Sequence, residues 1–142
     1  MILVDTNLLI YAQVSEMPQH ERAREWLDDQ LSGITGVGMA WASLLGYVRV
    51  VCNPRLFPRP QSIPDAWAQV NRWLALDPVW TPEPVDRHQE ILSSLISQTS
   101  NANLVSDAHL AALAIEYNLT LMTADRDFAR FTGLRWRNPL ED

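Results

Sequence analysis

At 142 residues the chain has the length of one domain and is short for two. Its composition, 47% hydrophobic and 20% charged, excludes a disordered, collagen-like or fibrous class, and no run approaches the roughly 20 apolar residues of a membrane span. Seventeen acids against eleven bases give a formal charge of −6, and every base is an arginine. Bulk electrostatics therefore does not draw nucleic acid to this surface. The single cysteine, Cys52, cannot form an internal disulfide. Met1-Ile2-Leu3-Val4 runs into Asp5 without a basic leader, so a cytoplasmic protein with no membrane association is expected.

Ile2-Leu3-Val4 is an apolar run that stops at Asp5, and it reads as a buried strand feeding a helix from Asn7 to Val14. A second helix is expected from about Gln19 to Leu31, with Ala23, Trp26, Leu27 and Leu31 inward and Glu21, Arg22, Glu25 and Asp29 outward. Beyond Gly33 and Gly36, Val37 to Ala40 reads as a strand and Trp41 to about Cys52 as a helix. Four prolines between Asn53 and Pro64 predict a loop, because proline removes a donor and is excluded from helix interiors. Helical spacing returns from Ala66 to Leu76 through Trp67, Val70, Trp73 and Leu74. Pro78-Val79-Trp80 marks a short strand, and Asp86 to Ser97 a further helix.

Polar residues from Ser100 to Asn103 separate that helix from the next, Leu104 to Glu116, which sets Leu110, Leu113 and Ala114 at core spacing. Leu119 to Thr123 alternates as a strand; a one-turn helix through Phe128 and a strand near Leu134 to Trp136 follow. Strands separated by helices call for an α/β fold with a parallel sheet covered on both faces. No repeat or linker divides the chain, so residues 1–142 are expected to form a single domain.

In such a sheet the ligand crevice lies beyond the carboxyl ends of the strands. Asp5 follows the first strand, Asp125 and Asp127 follow the strand ending at Thr123, and Asp107 falls in the first turn of its helix. Each has a structural explanation taken singly. Asp5 and Asp125 suit helix caps, Asp107 complements a helix dipole, and Asp127 suits a surface turn. Taken together, four carboxylates at one sheet edge repel one another unless a cation neutralises them. Oxygen ligands alone suit Mg²⁺, with Mn²⁺ able to substitute. No zinc spacing exists: His20, His88 and His109 lie far apart, and His109 is expected to be structural or solvent-facing. A phosphatase or receiver-type domain would need a second Asp two residues after the first and a lysine, and this chain has neither at Asp5.

Three segments carry a resemblance: Ile2-Leu3-Val4-Asp5-Thr6-Asn7, Val105-Ser106-Asp107-Ala108-His109-Leu110-Ala111-Ala112-Leu113-Ala114, and Leu121-Met122-Thr123-Ala124-Asp125-Arg126-Asp127-Phe128. In this order the chain resembles the PIN-domain nucleases along essentially its whole length. More narrowly, it is similar to the VapC toxins of type II toxin–antitoxin systems. The resemblance implies a PIN-like three-layer α/β/α sandwich around a short, mostly parallel sheet. It also implies a magnesium-dependent endoribonuclease that cleaves RNA, is neutralised by a VapB-type antitoxin, and commonly forms a homodimer.

By the family pattern Asp5 and Asp107 are the principal metal ligands, Asp125 completes the acidic cluster and Asp127 supports it. Thr6, Asn7 and Thr123 match positions that orient the carboxylates. One departure stands out, because the family commonly carries a Glu near the start of the helix after the second strand. Here that helix reads Trp41-Ala42-Ser43-Leu44-Leu45-Gly46-Tyr47-Val48-Arg49, with no acid. The alternative reading is therefore a catalytically weakened PIN module acting by binding RNA or its antitoxin.

Arg49 is the one charged residue in that helix, and it is a candidate to pair an acid or an RNA phosphate; Arg126 and Arg130 flank the last acids as further RNA-binding candidates. Trp41 and Tyr47 are candidates to stack bases, whereas Trp26, Trp67 and Trp73 sit at core or interface spacing. Leu8, Leu9, Tyr11 and Ala12 are candidates for either the monomer core or a dimer interface.

Overall fold

The computed structural model describes residues 1–141. Strands β1 (Ile2–Val4), β2 (Val37–Gly38), β3 (Val79–Trp80), β4 (Thr120–Met122) and β5 (Trp136–Arg137) pair in the order β3-β2-β1-β4-β5. Every pairing is parallel, with Ile2 opposite both Val37 and Thr120 and Val4 opposite Met122. Six α-helices connect them: α1 (Thr6–Gln13), α2 (His20–Leu31), α3 (Trp41–Val51), α4 (Ile63–Leu74), α5 (His88–Ile96) and α6 (Val105–Glu116). Short 3₁₀ turns cover Ala102–Leu104 and Arg126–Arg130.

Alternation along β1 creates two cores. Val4 turns to one face, where Leu8, Leu9, Leu27, Leu44 and Trp73 from α1–α4 pack with Met122. Leu3 turns to the other, against Leu95, Leu113, Leu121, Phe128 and Phe131. The result is the three-layer α/β/α sandwich with a parallel sheet.

From β1 the chain builds outward on one side through β2 and β3, then crosses to the opposite side for β4 and β5. The strand order reverses between β1 and β4, and the crevice at their carboxyl ends is where an open α/β sheet accepts ligands. Asp5 leaves β1 at this point, its backbone N–H bonded to the Met122 carbonyl (3.0 Å).

Element boundaries differ from expectation where local chemistry intervenes. Helix α4 begins at Ile63, so Pro64 lies inside its first turn rather than ending a loop. Proline is excluded from helix interiors but tolerated there, where its missing N–H has no helical partner. Ser62 caps the same end, accepting the Asp65 N–H at 3.2 Å. Tyr47 is fully buried and meets Trp73 edge-on at 5.0 Å, so it cannot stack an RNA base. Trp67, expected in the core or at an interface, is 39% exposed and so lies outside the core. Leu8, Leu9 and Ala12 are core residues, and Tyr11 packs partly buried against them, which removes the first three from any dimer interface.

Helices α5 and α6 are tied by a polar contact across an apolar seam. The Glu116 side chain has no exposure; it accepts the Val85 N–H at 3.0 Å and bonds His88 Nδ1. His88 Nε2 in turn meets His109 Nδ1 at 3.1 Å. His109 is thus a structural histidine, and folding joins two histidines that stand 21 residues apart in the chain. Burial, reinforced by His88 and opposed by Glu116, holds the His109 imidazole below its ordinary pKa.

Candidate active site

Asp5 is held by three neighbours. As the cap of α1 its Oδ1 accepts the Thr6 N–H at 2.7 Å, and its Oδ2 accepts from the Thr123 hydroxyl at 2.7 Å and from Asn7 Nδ2 at 3.4 Å. The Thr123 side chain, wholly buried, makes every bond a hydroxyl can make. It donates to Asp5 and accepts from Asn7 Nδ2 (3.2 Å) and from the Asp125 N–H (3.0 Å). Asn7 Oδ1 accepts the Ala124 N–H at 3.3 Å. Thr123 and Asn7 thereby lock the loop after β4 to the loop after β1 and fix the Asp5 carboxylate. Burial nevertheless raises the Asp5 pKa; the Thr123 and Thr6 hydrogen bonds oppose that rise, and the Asp125 charge adds to it.

Asp107 enters from the first turn of α6 and lines the same crevice of about 210 Å³ as Asp5. Its carboxylate has no hydrogen-bond donor and no cationic partner among the described residues. Burial first, and then repulsion from Asp5, Asp125 and Asp127, pushes its pKa up to about 6. The fold therefore brings all four acids into electrostatic contact, as their positions at strand and helix ends anticipate. Asp125 also caps its own turn, its Oδ1 accepting the Asp127 N–H at 2.9 Å. Asp127 is exposed at the margin.

The third wall is α3. Thr6 Oγ1 donates to the Ser43 carbonyl at 3.0 Å, and Gly46 makes room for that contact. A Cβ at position 46 would stand 2.9 Å from Thr6 Oγ1 and 3.3 Å from its Cγ2. Gly46→Ala is expected to destabilise the fold by about 1 kcal/mol, overpacking outweighing the better helix propensity of alanine. Urea unfolding checks the sign, and Thr6→Ser, which removes Cγ2, should recover part of the loss. Of the arginines singled out from sequence, Arg49 lines the crevice beside Ser43 and Gly46. Arg126 is turned to Glu141 at 3.0 Å, and Arg130 is exposed on the 3₁₀ turn. Trp41 is 39% exposed beside the crevice residue Ala42. Ser43, which the sequence reading passed over, lines the crevice although it is only 2% exposed. Its three-residue spacing from Gly46 and Arg49 is the signal that places it on their face.

A divalent cation fits this donor set in a particular way. Among the described residues no three Asp, Glu, His or Cys side chains form a ready cage for one ion. Two unneutralised carboxylates facing one crevice, with two more nearby, instead suit a hard cation that keeps much of its water.

The PIN-domain family model matches residues 2–134. The chain is 43% identical over 140 residues to ribonuclease VapC37 of Mycobacterium tuberculosis, covering 98% of this chain and 97% of that protein. It is 37% identical over 143 residues to ribonuclease VapC33 of the same species, covering all of both. Among solved structures, VapBC2 from Rickettsia felis bound to a DNA fragment from its promoter superposes with a TM-score of 0.70. The identity is 16%, and the match covers 97% of this chain and 98% of that one, so the likeness is one of fold.

Proposed function

Since the chain belongs to the PIN-domain family, we propose that it is the toxin component of a type II toxin–antitoxin system, an endoribonuclease that cleaves phosphodiester bonds in RNA. The relatives it matches along its whole length are named VapC ribonucleases, and divalent-metal dependence and neutralisation by a VapB-type antitoxin accompany that assignment. Mg²⁺ is the proposed cation, with Mn²⁺ as substitute. A single domain over residues 1–142, a homodimer and action in the cytoplasm complete the proposal. Among the described residues no helix is long and apolar enough to cross a membrane.

The observation that carries the reading is Asp107, a half-buried carboxylate with no donor or counter-cation, raised to about 6 by burial and by the three other acids. An enzyme that needed these acids only as caps would have no cause to crowd them. Asp5 and Asp107 are proposed to hold the cation directly and Asp125 through the water it keeps, with Thr6, Asn7 and Thr123 orienting Asp5 and the loop of Asp125. What a bound divalent cation supplies to phosphodiester hydrolysis is a lower pKa for water, a polarised phosphoryl oxygen and neutralisation of the leaving oxygen. Asp127 accepts no hydrogen bond through its side chain among the described residues and is proposed to take the proton from the attacking water. Arg126 and Arg130 sit on the same turn and are proposed to guide the RNA backbone toward the acids.

Purified protein incubated with structured RNAs tests this directly. Cleavage is expected with Mg²⁺ or Mn²⁺, none in EDTA, and suppression by the cognate antitoxin. RNA or antitoxin binding without cation-dependent cleavage would instead establish the weakened module, for which the acid-free α3 is the structural ground.

A further inference from the structure

Helix α3 gives the crevice a wall of opposite character to the acids. Ser43, Gly46 and Arg49 follow one another at three-residue spacing, and all three line the crevice shared with Asp5 and Asp107. The Ser43 side chain is only 2% exposed, yet its hydroxyl has no hydrogen-bond partner among the described residues. Lining the crevice, that hydroxyl is available to bond a ligand there. Arg49 is equally uncommitted. It makes no ion pair among the described residues, although two carboxylates line the same crevice. Gly46, between them, puts no side chain in the way.

This wall offers a hydroxyl and a guanidinium fork as side-chain donors, while Asp5 and Asp107 bring carboxylate acceptors to the same crevice, with Thr6 and Ser106 beside them. A ligand that satisfies both has several anionic oxygens on one centre: some face the acids through a cation, and others face α3 directly. A phosphodiester has that form, and guanidinium recognises it through charge-assisted, often bidentate, hydrogen bonds.

We propose that Ser43 and Arg49 form a phosphate-oxygen subsite that grips an RNA phosphodiester independently of divalent cation. The inference rests on the RNA-cleaving reading above and adds to it the means by which a strongly acidic protein holds its substrate. The wall that lacks an acid is then a substrate wall, with Arg49 supplying positive charge to the phosphate.

The test is fluorescence anisotropy of a short labelled single-stranded RNA in EDTA, titrated with wild type, Arg49→Gln, Arg49→Lys, Ser43→Ala and, as a control on α2, Arg24→Gln. Wild type is expected to bind, Arg49→Gln to weaken binding about tenfold, and Ser43→Ala to weaken it severalfold. Arg49→Lys should fall between, since it keeps the charge and loses the fork. The slope of log affinity against log salt should drop by about 0.7 for Arg49→Gln and stay unchanged for Arg24→Gln. Circular dichroism confirms that each variant is folded. Equal binding by wild type and Arg49→Gln, or equal losses for Arg49→Gln and Arg24→Gln, would overturn the subsite. Cleavage with Mg²⁺, measured in parallel, separates the two readings. Its absence in wild type removes the nuclease, whereas its presence beside Arg49-independent binding removes only the subsite.

Discussion

Asp5→Asn and Asp107→Asn are each expected to lower cation-dependent RNA cleavage by far more than the roughly 10–100-fold that loss of an outer-sphere partner typically costs. Thr123→Val, which removes the hydroxyl bonded to Asp5, is expected to fall inside that range. The two Asn variants differ in their effect on the fold. At position 5 an amide keeps the cap to the Thr6 N–H but sets its own NH₂ against Asn7 Nδ2, so a small loss of stability is expected. At position 107 the carboxylate has no donor to lose, and Asn removes a repelling charge. Metal-free Asp107→Asn should therefore be the more stable protein.

The pH dependence follows from the raised pKa. Folded Asp107 binds its proton up to about pH 6, whereas the unfolded chain releases it near 3.8. Between those values the stability of the metal-free wild type falls as pH rises, and above about 6 the whole cost is present. The advantage of Asp107→Asn should grow across that window and then level off. Thermal melts at several pH values in EDTA check this. Mg²⁺ should raise the wild-type midpoint and leave that of Asp107→Asn nearly unmoved. A wild-type cleavage rate for Asp107→Asn would remove the acid cluster from the chemistry.

Glu116→Ala is the substitution with the largest expected effect on folding. It leaves the Val85 N–H and the His88 ring without their buried acceptor, a loss of about 3 kcal/mol. Urea unfolding measures it, with an unchanged slope if only the native contact is lost. Glu116 lies nine residues after Asp107, about half a turn around the helix, so the seam faces α5 and away from the crevice. Cation-dependent cleavage per folded molecule should remain at the wild-type rate. Because His109 is held below its ordinary pKa, its contribution to this seam is lost as pH falls below about 6.5. A stability change near zero would show that the contact contributes nothing net.

Periodicity alone yields the order of strands and helices, because each helix buries one stripe and each strand alternates or runs apolar. It yields the positions of the acids as well, since a residue that ends a strand in a parallel sheet must lie at the carboxyl edge. Pro64 misplaces a boundary because a rule for helix interiors does not hold for a first turn. Tyr47 is buried against Trp73 instead of reaching RNA because helical spacing gives the angle around a helix, not which neighbour covers that angle.

A parallel α/β arrangement, acids at strand and helix ends and an acid-free helix are legible from residue type and local spacing alone. That Thr123 bonds both Asp5 and Asn7 across more than a hundred residues, and that His88, His109 and Glu116 meet, comes from the packing of the layers. The same packing decided that Ser43 and Arg49 share a crevice with Asp107. These contacts join elements distant in the chain, and their existence depends on how the layers pack, which no local pattern encodes.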